Sequence, residues 1–349
     1  MRALVCVSTN PWETTEPLRR AGVEVDLITP PRELSVPRLR WALRILRRDM
    51  REFDVVISQG GGLIGLMVTL NAIGAGCRTA IILRGNPWQE YADQAGRGGK
   101  SRLKAAFDAW AARRNADLSD LILPLSETLR GWVLEEIAVD PGKLITVPLA
   151  VDYERLRNAG GSERPPQWRH EHLISLATMF TFKQKIAGLE RFLPLLRAIV
   201  EQYDACVVIA GEGPLREQFM RENRAVLDHP NIHLPGYVSD MPSLYHWSDF
   251  FCHFSLLDVM PKVPLEAWCC GLPVVVNDYA PLTEHVVSGV NGYVLPGEGT
   301  LDDWLPVVER LLTDPEHRRT LGENGRRLVE ERFTPEAVGA QLRGVLEGR

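Results

Sequence analysis

The chain has 349 residues, 45% hydrophobic and 24% charged, a length that suits two domains better than a single core. Its net charge of −5 implies neither nucleic acid nor an acidic substrate as partner. The charge is uneven, with 22 Lys and Arg against 19 Asp and Glu in residues 1–160 and 18 against 26 in residues 161–349, so the first half is the better match for an anionic surface.

The N-terminal run "RALVCVS" is too short for a signal peptide and reads as a first strand, followed by "EVDLIT". Residues 38–53, "RLRWALRILRRDMREF", place Leu39, Leu43, Leu46, Met50 and Phe53 at helical spacing. Arg40, Arg44, Arg47, Arg48 and Arg51 crowd the other side, so a packed helix with a solvated face and a helix lying on a membrane are both open readings. Next come the strand "DVVISQ" and the turn Gly60-Gly61-Gly62, with Gly65 completing G-x-G-x-x-G ahead of a helix from Leu63 to about Ala75. A dinucleotide site also requires a carboxylate at the end of the following strand, but "TAIILRGN" ends in Arg84 and Gly85. The glycines are therefore read as a tight turn at a strand's carboxyl end, where open α/β sheets hold ligands. Residues 61–83 are broken by Thr69, Asn71 and Arg78 and read as a buried helix and strand rather than a membrane span.

A basic Gly-rich stretch, "GRGGKSRLKAAF" (96–107), precedes the β-rich runs "LILPLS" and "LITVPL". "GGSERPP" (160–166) reads as a linker, dividing the chain into 1–158 and 159–349, with the last helix free to pack back on the first part. The alternation then restarts with "HLISLAT", "ACVVIAG", "NIHLPG", "FFCHFS", "PVVVN" and "GYVLP", separated by helical stretches. Strands alternating with helices predict parallel sheets, hence an α/β protein of two Rossmann-like domains facing each other across a cleft. The six cysteines (Cys6, Cys77, Cys206, Cys252, Cys269 and Cys270) make no C-x-x-C and no zinc spacing, and read as buried thiols in a reducing, cytoplasmic compartment.

The second half carries the more specific pattern. "GEGP" (211–214) is expected to end a strand and open a helix, with backbone N–H groups turned toward phosphate oxygens. In "HFSLLDVMPKVPLEAWCCGLPVVVND" (253–278), Asp258 and Glu266 are separated by seven residues, Pro264 suits the first turn of a helix, and Gly271 ends it. "EHVVSGVNGYVLP" follows, with Glu284, Gly289 and Gly292.

These segments resemble the retaining GT-B glycosyltransferases of the family 4 type, which carry E-x7-E within "S..EGFP...LEA...G.PVV......E.V..G.NG". The resemblance covers most of 170–333 and extends more loosely to the first domain, where Ser126 and "VPLAVD" stand for the family's serine and its "IPNGVD". It implies a nucleotide-sugar co-substrate, UDP- or GDP-linked, without metal or further cofactor, in cell-envelope glycan biosynthesis. Glu266 would hold the two ribose hydroxyls, and Asp258 stands where the family's first Glu contacts the sugar. The backbone of Val259, Met260, Pro261 and Lys262 would approach the sugar and diphosphate. Gly211, Glu212 and Gly213 would line the donor, and Tyr237, in "GYVSDMPSLY", lies in the loop expected beside the base. Lys185 or Lys183 would neutralise the diphosphate leaving group. Gly60, Gly61, Gly62 and Gly85 would wall the acceptor side, with a glycan or lipid-phosphate-linked acceptor and peripheral contact with the inner face of the membrane through residues 38–53.

Three departures stand out. The first Glu is Asp258, followed by Val259 in place of Gly, and "STNPWETTE" (8–16) lacks the family's Gly-Gly loop. All eight histidines lie at position 170 or later, so the His of the family's first domain is absent and Arg84 takes its place. Arg84 is expected either to face the cleft, against donor phosphate or an anionic acceptor, or to support the local fold. Non-catalytic nucleotide-sugar binding, or hydrolysis or epimerisation of the donor, are the alternatives to transfer.

Overall fold

The computed structural model describes residues 1–7, 9–30, 41, 44–45, 47–59, 62–88 and 100–348. The chain divides into two compact units, Met1–Ala150 with Phe333–Arg349, and Val151–Arg332. In the first unit, β1 (Arg2–Cys6), α1 (Trp12–Arg20), β2 (Glu24–Ile28), β3 (Val55–Gln59), α2 (Gly62–Gly74), β4 (Arg78–Leu83), α3 (Lys100–Leu118), β5 (Leu121–Pro124) and α4 (Glu127–Glu136) follow one another. The strands form one parallel sheet in the order β2-β1-β3-β4-β5. Each of β3, β4 and β5 carries a continuous run of three Val, Ile or Leu residues, as expected where helices cover both faces of a parallel sheet. The strand order reverses between β1 and β3, where Thr9 meets the Gln59 side chain and Gly62 opens α2 with a left-handed backbone (φ 58).

The basic stretch at 38–53 departs from expectation. Trp41, Arg44 and Ile45 are helical, but residues 47–54 are turn and coil. Ile45, Met50 and Phe53 pack into the core with Leu4, Val56 and Val68. Arg48 pairs with Asp26 and lies over the Phe53 ring. The described apolar residues thus point inward, and core packing has overridden the helical period; Leu39, Arg40, Leu43 and Leu46 lie outside the described residues. "LITVPL" forms no strand and touches β5 through one bridge, Ile122 to Leu144.

The second unit begins with α5 (Tyr153–Asn158) and continues through β6 (His172–Ala177), α6 (Lys183–Arg191), α7 (Leu193–Gln202), β7 (Ala205–Ala210), α8 (Arg216–Glu222), α9 (Arg224–Leu227), β8 (Ile232–Gly236), α10 (Met241–Trp247), β9 (Phe250–His253), α11 (Lys262–Cys269), β10 (Val274–Asn277), α12 (Ala280–Thr283), β11 (Gly292–Leu295), α13 (Leu301–Thr313) and α14 (Pro315–Arg332). Its sheet is parallel, in the order β11-β10-β9-β6-β7-β8, so the connection from β8 to β9 carries the chain back across the starting strand. Fully buried Phe192, Phe250, Phe180 and Phe219 anchor the core on one face. The final helix, α15 (Pro335–Glu347), belongs to the first unit: Gly339 lies against the Pro17 carbonyl, and Arg343 donates to the Ala21 carbonyl at 2.7 Å.

The division falls at 150/151, earlier than the Gly/Pro-rich stretch suggested. That stretch is pinned to the second unit, where the Gly161 and Ser162 amides donate to Ser243 Oγ on α10. Upstream of it, the Tyr153 hydroxyl donates to Glu330, and the Leu156 carbonyl accepts from Cys270. Residues 151–158 are therefore part of the second core.

Candidate active site

In an open parallel sheet the loops at the carboxyl ends of the strands diverge where strand order reverses, leaving a crevice there. In the second unit that point lies between β6 and β9. The loop after β6 leads into α6 with Lys183 and Lys185, and the loop after β9 carries Asp258 into α11.

The structure brings Lys185 and Asp258 together, with Nζ 2.6 Å from Oδ1. The other carboxylate oxygen, Oδ2, is 3.1 Å from Nε2 of His253, the last residue of β9. Because an ionised carboxylate only accepts, His253 Nε2 carries the proton and donates it. His253 is almost fully buried, and its Nδ1 has no partner among the described residues. Burial alone would raise the Asp258 carboxyl, but the His253 hydrogen bond and charge, and then Lys185, outweigh it and hold the group well below the usual carboxylate range. Lys183 is exposed, and of the two lysines that the spacing left open it is Lys185 that contacts Asp258.

The approach depends on Gly188. A Cβ there would lie 2.6 Å from Ser255 Cα, so only glycine lets α6 sit against the loop after β9. That loop is held by Asn277, which accepts from the Ser255 amide and donates to its carbonyl at 2.9 and 3.0 Å. Ser255 Oγ in turn accepts from the Leu257 and Asp258 amides. Gly188→Ala is expected to cost about 1–3 kcal/mol, read as a lower urea midpoint, because backbone must move to admit the methyl group.

Helix α11 starts at Lys262, so Pro264 is its third residue, within the turn whose N–H groups have no helical partner. Val259 and Met260 precede the helix, and Pro261 is its N-cap in an extended conformation, with no side chain capping the terminus. Glu266 follows one turn in, half-buried, and its Oε2 accepts from the hydroxyl of fully buried Tyr245 at 3.3 Å. Burial, and then the Glu266 charge, push the Tyr245 hydroxyl well above its ordinary value, so it stays a donor. Trp268 fixes the helix by donating from Nε1 to the Asn291 carbonyl. Tyr279 caps α12 close enough to Asp258 that burial, and then the Asp258 charge, raise its hydroxyl. Glu284 sits at the end of α12, 4.0 Å from His285.

The glycines of "GEGP" meet a demand other than the expected one. β7 ends at Ala210, and α8 starts only at Arg216. Gly211 has φ +142, and a Cβ there would collide with the Thr178 carbonyl; at Gly213 it would collide with that of Phe180. The Gly211 amide donates to the Gly236 carbonyl at 2.8 Å and is not free to meet phosphate. The glycines let the loops after β6 and β7 cross, with Phe180 N donating to the Glu212 carbonyl and Leu215 N to the Phe180 carbonyl. Glu212 lies 3.9 Å from Arg216, and Tyr237 follows β8 with 78% of its surface exposed.

In the first unit, Arg84 follows β4 and forms a close ion pair with Glu13, whose side chain is 2% exposed. Its other terminal nitrogen reaches the Asn10 carbonyl and Thr14 Oγ1. Arg84 and Glu13 line a small cavity walled by Ile82, Leu123, Leu149 and Leu342. Its charge is thus engaged by the local fold, and a phosphate would have to compete with Glu13. Gly85 is half-buried beside it, and Gly60 and Gly61 lie outside the described residues. Gly65, the last glycine of the G-x-G-x-x-G spacing, faces Asn115 of α3, so it serves a helix–helix contact.

The expected residues Lys185 and Asp258 are joined directly, whereas His253, Tyr245, Gly188 and Tyr279 were not singled out from the sequence. His253 had a signal, a polar ring at the carboxyl end of an apolar strand five residues before Asp258; Gly188 had none. Among the described residues, no three His, Cys, Asp or Glu side chains gather where they could hold a metal ion, and no helix is long and apolar enough to cross a membrane.

Two parallel-sheet α/β units, one with acidic, basic and helix-terminal groups gathered at its switch point, define the GT-B class of folds. The family model for glycosyl transferases group 1 matches residues 179–328, and that for the glycosyl transferase 4-like domain matches residues 3–150. Together they cover most of the chain, which belongs to the family-4-type GT-B glycosyltransferases. Among curated relatives, alpha-D-kanosaminyltransferase of Streptomyces kanamyceticus is 23% identical over 250 residues, 70% of this chain and 64% of that one. The MMP alpha-(1->4)-mannosyltransferase of Mycolicibacterium hassiacum is 26% identical over 227 residues, 65% and 53% of the two chains. The matches thus span about half to two-thirds of these relatives' length. The fold is shared with Anabaena HepE, solved in complex with UDP, at a TM-score of 0.73 and 14% identity over the whole of both chains.

Proposed function

We propose that the chain transfers a hexosyl group from a nucleotide-sugar to a glycan or lipid-linked acceptor. The observation that carries this reading is the Lys185–Asp258–His253 cluster, set at the sheet's switch point with Glu266 on the helix that follows. Glu266 accepts hydrogen bonds from both ribose hydroxyls, and Tyr237 offers an exposed ring to the base. Asp258 accepts from a sugar hydroxyl, while Lys185, Lys262 and the open N-terminus of α11 face the diphosphate. The bond from the anomeric carbon to phosphate oxygen breaks, and the bond to the acceptor oxygen forms. The acceptor attacks from the face that the diphosphate leaves, which retains the anomeric configuration and lets its proton pass to the departing phosphate oxygen. Charge develops on the diphosphate, and fixed positive groups stabilise it without a metal. Family membership and the UDP complex of HepE support a nucleotide-sugar donor, and the kanosaminyltransferase and mannosyltransferase relatives support a glycosyl unit as the group moved.

A thermal-shift screen of UDP-, GDP- and ADP-sugars tests this directly. One donor is expected to raise the melting temperature by several degrees at about 100-fold excess over its dissociation constant. Turnover of that donor only with an acceptor present supports transfer; turnover with water alone makes the chain a donor hydrolase. Stabilisation without turnover makes it a binding protein, and stabilisation by NAD(P) alone overturns the reading.

A further inference from the structure

Helix α3 is turned inside out relative to an ordinary surface helix. Its buried positions are small: Ala105, Ala111, Ala112, Asn115 and Ala116. Its large apolar residues face out: Leu103 is 78% exposed, Phe107 47% and Trp110 51%. They fall at i, i+4 and i+7, hence on one stripe, and the Phe107 and Trp110 rings stack at 5.6 Å. A water-facing helix places such residues inward, so this stripe has a partner other than water. The helix packed against it through Gly65 and Asn115, α2, adds exposed Leu63, Leu70 and Ile73.

Charge says which partner. Helix α3 carries five Lys and Arg against two Asp, with Lys100, Arg102 and Lys104 at its start and no acidic residue in its first turn. Cations there oppose the helix dipole, so the helix terminus itself does not call for them. Lys104 pairs with Asp108, Arg113 with Glu136 and Arg114 with Asp117, while Arg102 is exposed beside Leu103. The preceding segment, residues 89–99 (QEYADQAGRGG), is polar and Gly-rich, with a single aromatic to offer such a stripe. A second copy of the chain is a poor occupant. Arg113 and Arg114 are already paired, so parallel pairing along α3 sets its basic start against itself, and antiparallel pairing offers that start only carboxylates that are already engaged.

We infer that the Leu103–Phe107–Trp110 face of α3 is a docking surface for an anionic lipid bilayer. The aromatics and Leu103 enter the interface, and Arg102 and its neighbours meet the headgroups. This moves the membrane-facing element from residues 38–53, whose described apolar side chains are in the core, to α3. The inference deepens the lipid-linked-acceptor reading and rests on it only for its purpose.

The test is co-flotation with phosphatidylcholine vesicles containing phosphatidylglycerol, against pure phosphatidylcholine vesicles, with neither donor nor acceptor present. Binding to the anionic vesicles is expected at low salt, weakening as salt rises. Combined Leu103→Ser, Phe107→Ser and Trp110→Ser substitution should reduce it by about tenfold or more, with the circular dichroism unchanged because all three side chains are exposed. Lys100→Gln with Arg102→Gln should remove the preference for anionic vesicles. No binding, or equal binding by the triple variant, overturns the proposal. So does a dimer that the triple variant dissolves without any vesicle binding. Donor turnover in detergent-free solution is a separate readout, so a failed flotation leaves the transferase reading standing.

Discussion

Glu266→Ala is expected to weaken nucleoside diphosphate binding by about 10²- to 10⁴-fold and to abolish transfer. The magnitude follows from two hydrogen bonds to one carboxylate, each worth about 1.5–3 kcal/mol when an acceptor is charged. The carboxylate is aimed before ligand arrives: Glu266 lies on a helix fixed by Trp268, and Tyr245 holds one oxygen at 3.3 Å. The substitution also strips a fully buried tyrosine hydroxyl of its acceptor, at about 1–3 kcal/mol of stability. Tyr245→Phe separates the two effects. It leaves the carboxylate but lets it rotate, so affinity should fall by about tenfold or less. Titration calorimetry with UDP and GDP reads both variants, and the assignment of the ribose contact falls if Glu266→Ala binds the preferred nucleotide as tightly as the wild type.

The reach of sequence reasoning had physical limits. Parallel strands buried on both faces are continuous apolar runs bounded by turns, so eleven of the twelve strand-like runs identified correspond to strands, including β3, β7 and β10. "LITVPL" has the same composition but only one bridge, because strand pairing depends on a neighbour that sequence does not display. Asp258 and Glu266 stood out because their spacing and flanks formed a pattern. His253 did not, because its importance comes from a carboxylate folding back over the strand end. The glycines answer to a constraint that the sequence does not display. Gly211 and Gly213 invite a phosphate reading, yet both are required by crossing backbones, a constraint set by Thr178 and Phe180 more than thirty residues earlier. The 38–53 stretch shows the same limit: a helical period was present, but Met50 and Phe53 reach the core from an irregular segment.

Lys185→Ala is expected to lower kcat by about 10²- to 10³-fold, the loss that follows removal of one fixed group stabilising transition-state charge. Lys183→Ala, at an exposed position, should stay close to wild type. The reverse result would transfer the role to Lys183. The same lysine also governs the state of Asp258. With Lys185 gone, Asp258 keeps His253 but loses its closest positive charge, and about 1–3 kcal/mol of stability goes with it, a range reduced because both side chains retain some solvent contact. The pH dependence has a definite sign. The folded carboxyl lies below its ordinary value, so the unfolded chain binds a proton the native state refuses. The contribution is complete above about pH 4 and is lost as pH falls below it. The stability gap between wild type and Asp258→Asn should therefore be full at pH 7 and close toward pH 2, read by urea unfolding across that range. Asp258→Glu sharpens the point. One oxygen is held 2.6 Å from Lys185 and the other 3.1 Å from His253. A side chain longer by one methylene cannot satisfy both without moving the loop after β9, which Ser255 and Asn277 fix. Restoring the family's usual glutamate is thus expected to reduce transfer rather than improve it, and a gain in kcat would mean that His253 does not hold Asp258 in the working enzyme.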